Sequence, residues 1–160
     1  MTKPYEHDTS AHIDKMVQAT IGEARMVLPG IQALFGFQLV ATFNQRFTLL
    51  SLSDQHLHYA ALLCIALSAA IIMTPAAYHR IAERYTNSNR FIRIASRLVA
   101  VAMVPLMLGI SIDVYLLGLM ITDNVFVSSL IGSVSLVLFF GLWFVFPFVA
   151  SRYPKGGEND

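Results

Sequence analysis

From about Ser10 the apolar residues Ile13, Met16, Val17, Ile21, Ala24 and Leu28 recur on one helical face, with Asp14, Lys15, Gln18 and Glu23 elsewhere. Asp8, Thr9 or Ser10 supplies an N-cap. This pattern predicts an amphipathic helix lying along a membrane surface, preceded by a disordered stretch over residues 1–9. An N-terminal extension of the next helix fits the same residues, and the periodicity does not separate the two. The stretch from Glu23 to Gln38 then passes from charged to apolar. Arg25, Pro29, Gln32 and Gly36 share one face, while Gln38 and Gln45 lie roughly opposite with Glu23 and Gly30 near them. A span polar on two faces turns neither toward lipid cheaply, so it is expected inside a bundle, with Gln32 and Gln38 making contacts between helices.

Four apolar runs follow as predicted spans, over about 26–43, 57–77, 98–121 and 125–149. Ser53-Asp54 reads as the N-cap of the second. That span's clean core, Leu57 to Met73, covers about 25 Å at 1.5 Å per residue, short of a hydrocarbon layer of about 30 Å. It is therefore expected to continue through Thr74-Pro75-Ala76-Ala77-Tyr78 with a kink at Pro75. Thr86-Asn87-Ser88-Asn89 marks a turn before the third span, and Thr122-Asp123-Asn124 a tight hairpin after it. The fourth span opens on Ser128, Ser129, Gly132, Ser133 and Ser135, a small-residue face suited to helix packing, and closes on Phe139, Phe140, Trp143, Phe144, Phe146 and Phe148. Residues 154–160 form a polar tail expected to be flexible. The reading is an all-α, four-helix transmembrane bundle in a single membrane domain over residues 10–153.

Composition agrees: hydrophobic residues make up 56% of the 160 and charged residues only 13%, about half the usual globular share of roughly 25%. Net charge is +1, which gives no reason to expect a nucleic-acid partner. The distribution of charge says more. Of the eleven Lys and Arg residues, all but Arg46 fall in the N-terminal segment, the middle loop or the C-terminal tail. By the positive-inside rule, both termini and the middle loop face the cytoplasm. So uneven a count also argues against dual-topology antiparallel dimers. Arg80, Arg84, Arg90, Arg93 and Arg97 would attract anionic lipid. The N-terminus is too polar to begin a signal peptide. Cys64, the single cysteine, sits in an apolar run and reads as a packed side chain.

One acid stands within an apolar span. Asp113 lies about 24 Å along the helix from Arg97 and about 15 Å from Asp123, which places it in the outer half of the hydrocarbon. A bare carboxylate there costs at least roughly 2.5 kcal/mol, so it is protonated, paired or hydrated. In one reading Asp113 is a candidate ion or proton site in a transport path. In the other it is a neutral acid bonded to Ser128, Ser129, Ser133, Gln38 or Tyr115, specifying how the bundle packs. The second is favoured, because transport paths usually hold more than one ionisable group. Ala102, Pro105, Gly109 and Met120 share its face.

Glu23, Arg25, His79, Arg80 and Arg97 are expected at one level on the cytoplasmic side, as a polar network tying the first three helices together. His56-x-His58 is a poor metal pair, because helical side chains two apart point about 200° away from each other and no third ligand is near. His79 at a membrane edge argues against haem. No zincin, nucleophile-elbow, P-loop or dinucleotide pattern occurs, so neither an enzyme nor a cofactor is expected.

The combination Glu23-x-Arg25-x3-Pro29-Gly30-x-Gln32-x-Leu34-Phe35, with Pro75-Ala76-Ala77-Tyr78-His79-Arg80 and Thr122-Asp123, resembles a family of uncharacterised bacterial four-helix membrane proteins over about residues 23–150. Some relatives carry a sodium:proton antiporter label. The resemblance brings no catalytic or transport residue with it, and Asp113 is not among the residues that carry it. Two functions follow as expectations. The favoured one is a non-enzymatic structural or accessory membrane protein, in a homo-oligomer or a larger complex. The alternative is a small cation/proton-coupled transporter using Asp113.

Overall fold

A computed structural model describes the backbone of residues 4–82 and 89–152. The described chain is all-helical: α1 Pro4–Ala41, α2 Gln45–Thr48, α3 Leu52–Ala82, α4 Asn89–Thr122, α5 Val125–Phe140, a π-helical turn Gly141–Val145, and α6 Phe146–Ala150. Three stretches are long and apolar enough to cross a membrane: Leu52–Tyr78, Ile92–Thr122 and Val125–Ala150. A shorter apolar helix, Met26–Ala41, accompanies them.

The first helix differs from the expected division. α1 begins at Pro4, inside the stretch expected to be disordered, and runs unbroken into the apolar part. The amphipathic segment is thus continuous with the helix that follows. Once a helix is nucleated, each added residue gains a hydrogen bond, and no proline interrupts the chain between Pro4 and Pro29. Pro29 and Pro75 both lie inside helices, and α3 continues past Pro75 to Ala82. Thr86, Asn87 and Ser88 of the expected turn, and the tail over 154–160, lie outside the described residues.

The caps explain where the other helices begin. Ser51 rather than Ser53-Asp54 opens α3. Its Oγ accepts from Asp54 N at 3.1 Å and donates to Asp54 Oδ2 at 2.6 Å, a side-chain N-cap that starts the helix at Leu52. At the hairpin, Asn124 Oδ1 accepts from Phe126 N at 3.0 Å and Val127 N at 3.2 Å, satisfying the first donors of α5. The reversal requires φ of 50° at Asp123, a left-handed conformation that short polar side chains tolerate.

α4 is the central helix and packs against α1, α3 and α5. Ile31, Ile65, Ile72, Ala102 and Leu106 form the core, with Leu34, Phe35, Ile110 and Trp143 packed on it. On α3 the buried residues His58, Ala61, Ile65, Ser68, Ile72 and Pro75 follow alternating steps of three and four, a seam facing α4. Ser68 Oγ crosses that seam to donate to Ala102 O at 2.9 Å. Gly109 lets the two helices approach: a Cβ there would lie 2.8 Å from Ile65 Cγ1 and 3.1 Å from Ala61 O. Gly118 and Gly132 do the same between α4 and α5, against Ser128 and Tyr115.

α5 lies at the periphery. Within Val125–Ala150 only 11% of the most apolar stretch is buried, and Val125, Phe126, Leu130, Val134, Val137 and Leu138 are all exposed. So large an apolar exterior suits lipid and not water. The fourth stretch is also not one regular α-helix. Phe146 N–H bonds to Gly141 O, an i→i+5 step that inserts a π-turn ahead of Pro147.

Candidate functional site

Three helices bring polar side chains together at one end of the bundle. Gln38 lies near the C-terminus of α1, His58 in the second turn of α3, and Asp113 about 14 Å along α4 from Thr122. All three project from the buried stripes of their helices. Gln38 stands seven residues after the buried Ile31, and Asp113 continues the stripe Ala102, Leu106, Gly109 toward Leu116. The same 3–4 spacing that aligns the apolar core therefore aligns these three.

Gln38 Nε2 donates to Asp113 Oδ2 at 2.5 Å, joining α1 to α4. His58 Nε2 lies 3.1 Å from Gln38 O, joining α3 to α1. The other ring nitrogen, Nδ1, faces Asp113 Oδ1 at 3.7 Å, joining α3 to α4. At this cluster each of the three helices thus contacts both of the others. Gln38 and His58 are 5% and 7% exposed, whereas the Asp113 side chain keeps 27% of its surface open.

A carbonyl can only accept, so the bond to Gln38 O assigns the hydrogen to His58 Nε2. In a neutral ring Nδ1 is then a lone pair, and it faces a carboxylate oxygen. Two acceptors in opposition repel, and a proton held by the pair, either on Nδ1 beside an ionised Asp113 or on Asp113 beside a neutral ring, removes that repulsion. Both forms have no net charge, which suits a site within apolar helices. Gln38 Oε1 is buried with no hydrogen-bond partner among the described residues.

A cavity of about 260 Å³ adjoins the cluster. Gln38, His58 and Asp113 form its polar end, and Leu34, Phe37, Phe47 and Leu116 contribute to the apolar remainder. Phe47, carried by α2, meets the His58 ring edge-on with centroids 5.1 Å apart. Nearer the loops, Arg46 Nη1 donates to Met120 O at 2.8 Å, and Tyr115 Oη reaches Asp54 Oδ1 at 3.5 Å. The first bond gives a carbonyl in the last turn of α4 a cationic partner.

The match is with DUF6328, a family of unknown function, over residues 6–147, a segment that includes all three site residues. The chain belongs to this family. No match occurs among curated proteins or among solved structures. Membership of DUF6328 agrees with the uncharacterised family expected from the sequence.

The other residues singled out from the sequence divide. Gln32 is exposed, contrary to the expectation that it faces a neighbouring helix. Six residues separate it from Gln38, which at 100° each turns it about 240° away from the buried side. Ser128 is fully buried, but its Oγ donates to Asn124 O at 2.8 Å and lies 3.3 Å from Thr122 Oγ1, so it serves the hairpin and not Asp113. Ser129 and Ser133 are exposed and line a different cavity with Ser111, between α4 and α5. Tyr115 turns to Asp54. Of the residues expected to tie the cytoplasmic ends together, Arg80 and Arg97 are exposed, as is Arg93. The side chains of Glu23, Arg25, His79, Arg84 and Arg90 lie outside the described residues.

His58 is the member that the sequence reading did not place at the site. The sequence presents it only as half of a poor metal pair with His56, which is exposed. Its phase with Ala61, Ile65, Ser68 and Ile72 is the signal that identifies it. No group of three or more His, Cys, Asp or Glu able to hold a metal occurs among the described residues.

Proposed function

We propose that this chain is a four-span protein of the bacterial inner membrane, with both termini and the Arg-rich segment in the cytoplasm. It works as a non-enzymatic structural or accessory component, in a homo-oligomer or a larger membrane complex. Gln38, His58 and Asp113 act in it as a clamp that sets the relative positions of α1, α3 and α4. The observation that carries this reading is the Gln38–Asp113 bond, made across 75 residues of sequence between two largely apolar helices. A polar contact inside an apolar interface specifies register, because any other register strands its members. Arg80, Arg93 and Arg97, all exposed, are placed to meet anionic lipid headgroups.

A second reading, cation/proton-coupled exchange at Asp113, is favoured by one observation. His58 supplies a second ionisable group in contact with the first, beside a cavity.

The placement of the chain is tested by labelling single cysteines, after replacing Cys64, with a reagent that does not cross membranes. Ser53→Cys and Val125→Cys, both at exposed positions, are expected to react from the periplasmic side, and Ser88→Cys only after the membrane is opened. External reaction at position 88 would overturn the orientation.

A further inference from the structure

The cavity beside the clamp is short of one kind of group, the hydrogen-bond donor. One N–H of Gln38 Nε2 is committed to Asp113, which leaves one more, and His58 Nε2–H is committed to Gln38 O. The acceptors are in surplus: Asp113 presents two oxygens and is partly open, Gln38 Oε1 is buried without a partner among the described residues, and Asp113 Oδ1 faces His58 Nδ1 at 3.7 Å, beyond hydrogen-bond distance. A ligand that satisfies this wall must bring donors, and one that replaces the shared proton must bring a positive charge.

The rest of the cavity is apolar and partly aromatic. Leu34, Leu116, Phe37 and Phe47 line it, and Phe rings favour a nearby cation. Phe37 is 73% exposed and Leu117 58% exposed, although both line the cavity, so its mouth opens on the outer, apolar surface of the bundle. With the chain in a membrane, that surface is lipid. At about 260 Å³ the space is near the lower end of ligand pockets, which run from roughly 300 Å³ upward. A small amphiphile fits it and a phospholipid does not.

We propose that the Gln38–His58–Asp113 cavity is a binding site for a small lipophilic primary ammonium, entering from the lipid side with its head at Asp113 and its apolar body among Leu34, Phe37 and Phe47. The ammonium N–H groups bond to the Asp113 carboxylate and the free lone pair of His58 Nδ1. The proton that the pair held leaves to solvent. Charge balances: one cation enters, one proton departs, and the site stays neutral. This goes beyond the clamp reading and rests, as that reading does, on the contacts among Gln38, His58 and Asp113 and on placement in a membrane.

The test uses the full chain in lipid nanodiscs and 2-phenylethylammonium as the probe, with 2-phenylethanol as its uncharged counterpart. Calorimetric titration in two buffers of different ionisation enthalpy reads affinity and proton release together. The expected result is saturable binding of the ammonium with close to one proton released, and no saturable binding of the alcohol. Asp113→Asn keeps a partner for Gln38 but cannot pair with the cation, and is expected to weaken binding at least tenfold. Leu117→Trp, at the mouth and outside the clamp, is expected to weaken it by filling the entrance. Unchanged affinity in both variants, or no saturable binding by the wild type, would overturn the site. Loss of folding in Asp113→Asn would instead count against the clamp, and Leu117→Trp would still report on the cavity.

Discussion

Asp113→Leu is expected to lower the stability of the detergent-solubilised protein by about 1–3 kcal/mol, the cost of leaving buried polar groups without partners. Asp113→Asn is expected to stay close to the wild type. Leucine removes the acceptor for Gln38 Nε2 and the group facing His58 Nδ1 together, while Gln38 Oε1 has no partner already. Asparagine reproduces the neutral acid: its Oδ1 accepts from Gln38, and its Nδ2 carries hydrogens toward the Nδ1 lone pair. Thermal unfolding followed by circular dichroism reads the difference. The same pair of variants separates the clamp from an exchanger. A clamp gives no proton movement into proteoliposomes under a sodium or potassium gradient, in wild type or variant. Flux present in the wild type and absent in an intact Asp113→Asn protein would replace the clamp reading by the exchange reading.

Gly109→Val is expected to cost a comparable amount, about 1–3 kcal/mol, through overpacking. The first carbon of the new side chain would lie 2.8 Å from Ile65 Cγ1 and 3.1 Å from a backbone carbonyl, that of Ala61. Ile65 is fully buried and cannot swing aside, and the carbonyl cannot move without α3. The helices must separate, and Asp113 rides on α4 one turn beyond Gly109, so the clamp loosens with them. Gly36→Ala is the control. Nothing lies within 4 Å of a Cβ at that position, and alanine favours a helix by roughly 1 kcal/mol over glycine. Equal unfolding temperatures for Gly109→Val and the wild type would show that α3 and α4 do not meet at this point.

The apolar runs made most of this architecture legible, because a long uncharged segment leaves few structures open to it. Asp113 was legible for the same reason, as the single acid in such a run, and Gln38 was among its expected partners. His58 was not, because a histidine near a predicted helix start looks like loop chemistry until its phase with Ala61, Ile65 and Ser68 is counted. Gln32 misled in the opposite direction. A polar residue in an apolar segment invites an inward placement, but helical phase from Ile31 and Gln38 turns it outward. The cap at Ser51 and the extension of α1 to Pro4 depend on local hydrogen bonds that compete within a residue or two, where hydropathy is silent. The π-turn at Gly141–Val145 left no mark in the apolar pattern, since every residue around it is apolar whichever way it turns.

The account rests on Gln38 and Asp113 meeting inside the bundle, and a double-mutant cycle between them tests this most directly. Unfolding free energies are measured for the wild type, Gln38→Leu, Asp113→Leu and the double variant under one set of detergent conditions. Each single change strands the other partner, and the double change removes both. The expected result is a coupling of about 1 kcal/mol, within the range of roughly 0.5–3 kcal/mol for residues in contact, with the double variant less destabilised than the sum of the singles. Additivity within about 0.3 kcal/mol would contradict it, because side chains that do not touch add independently.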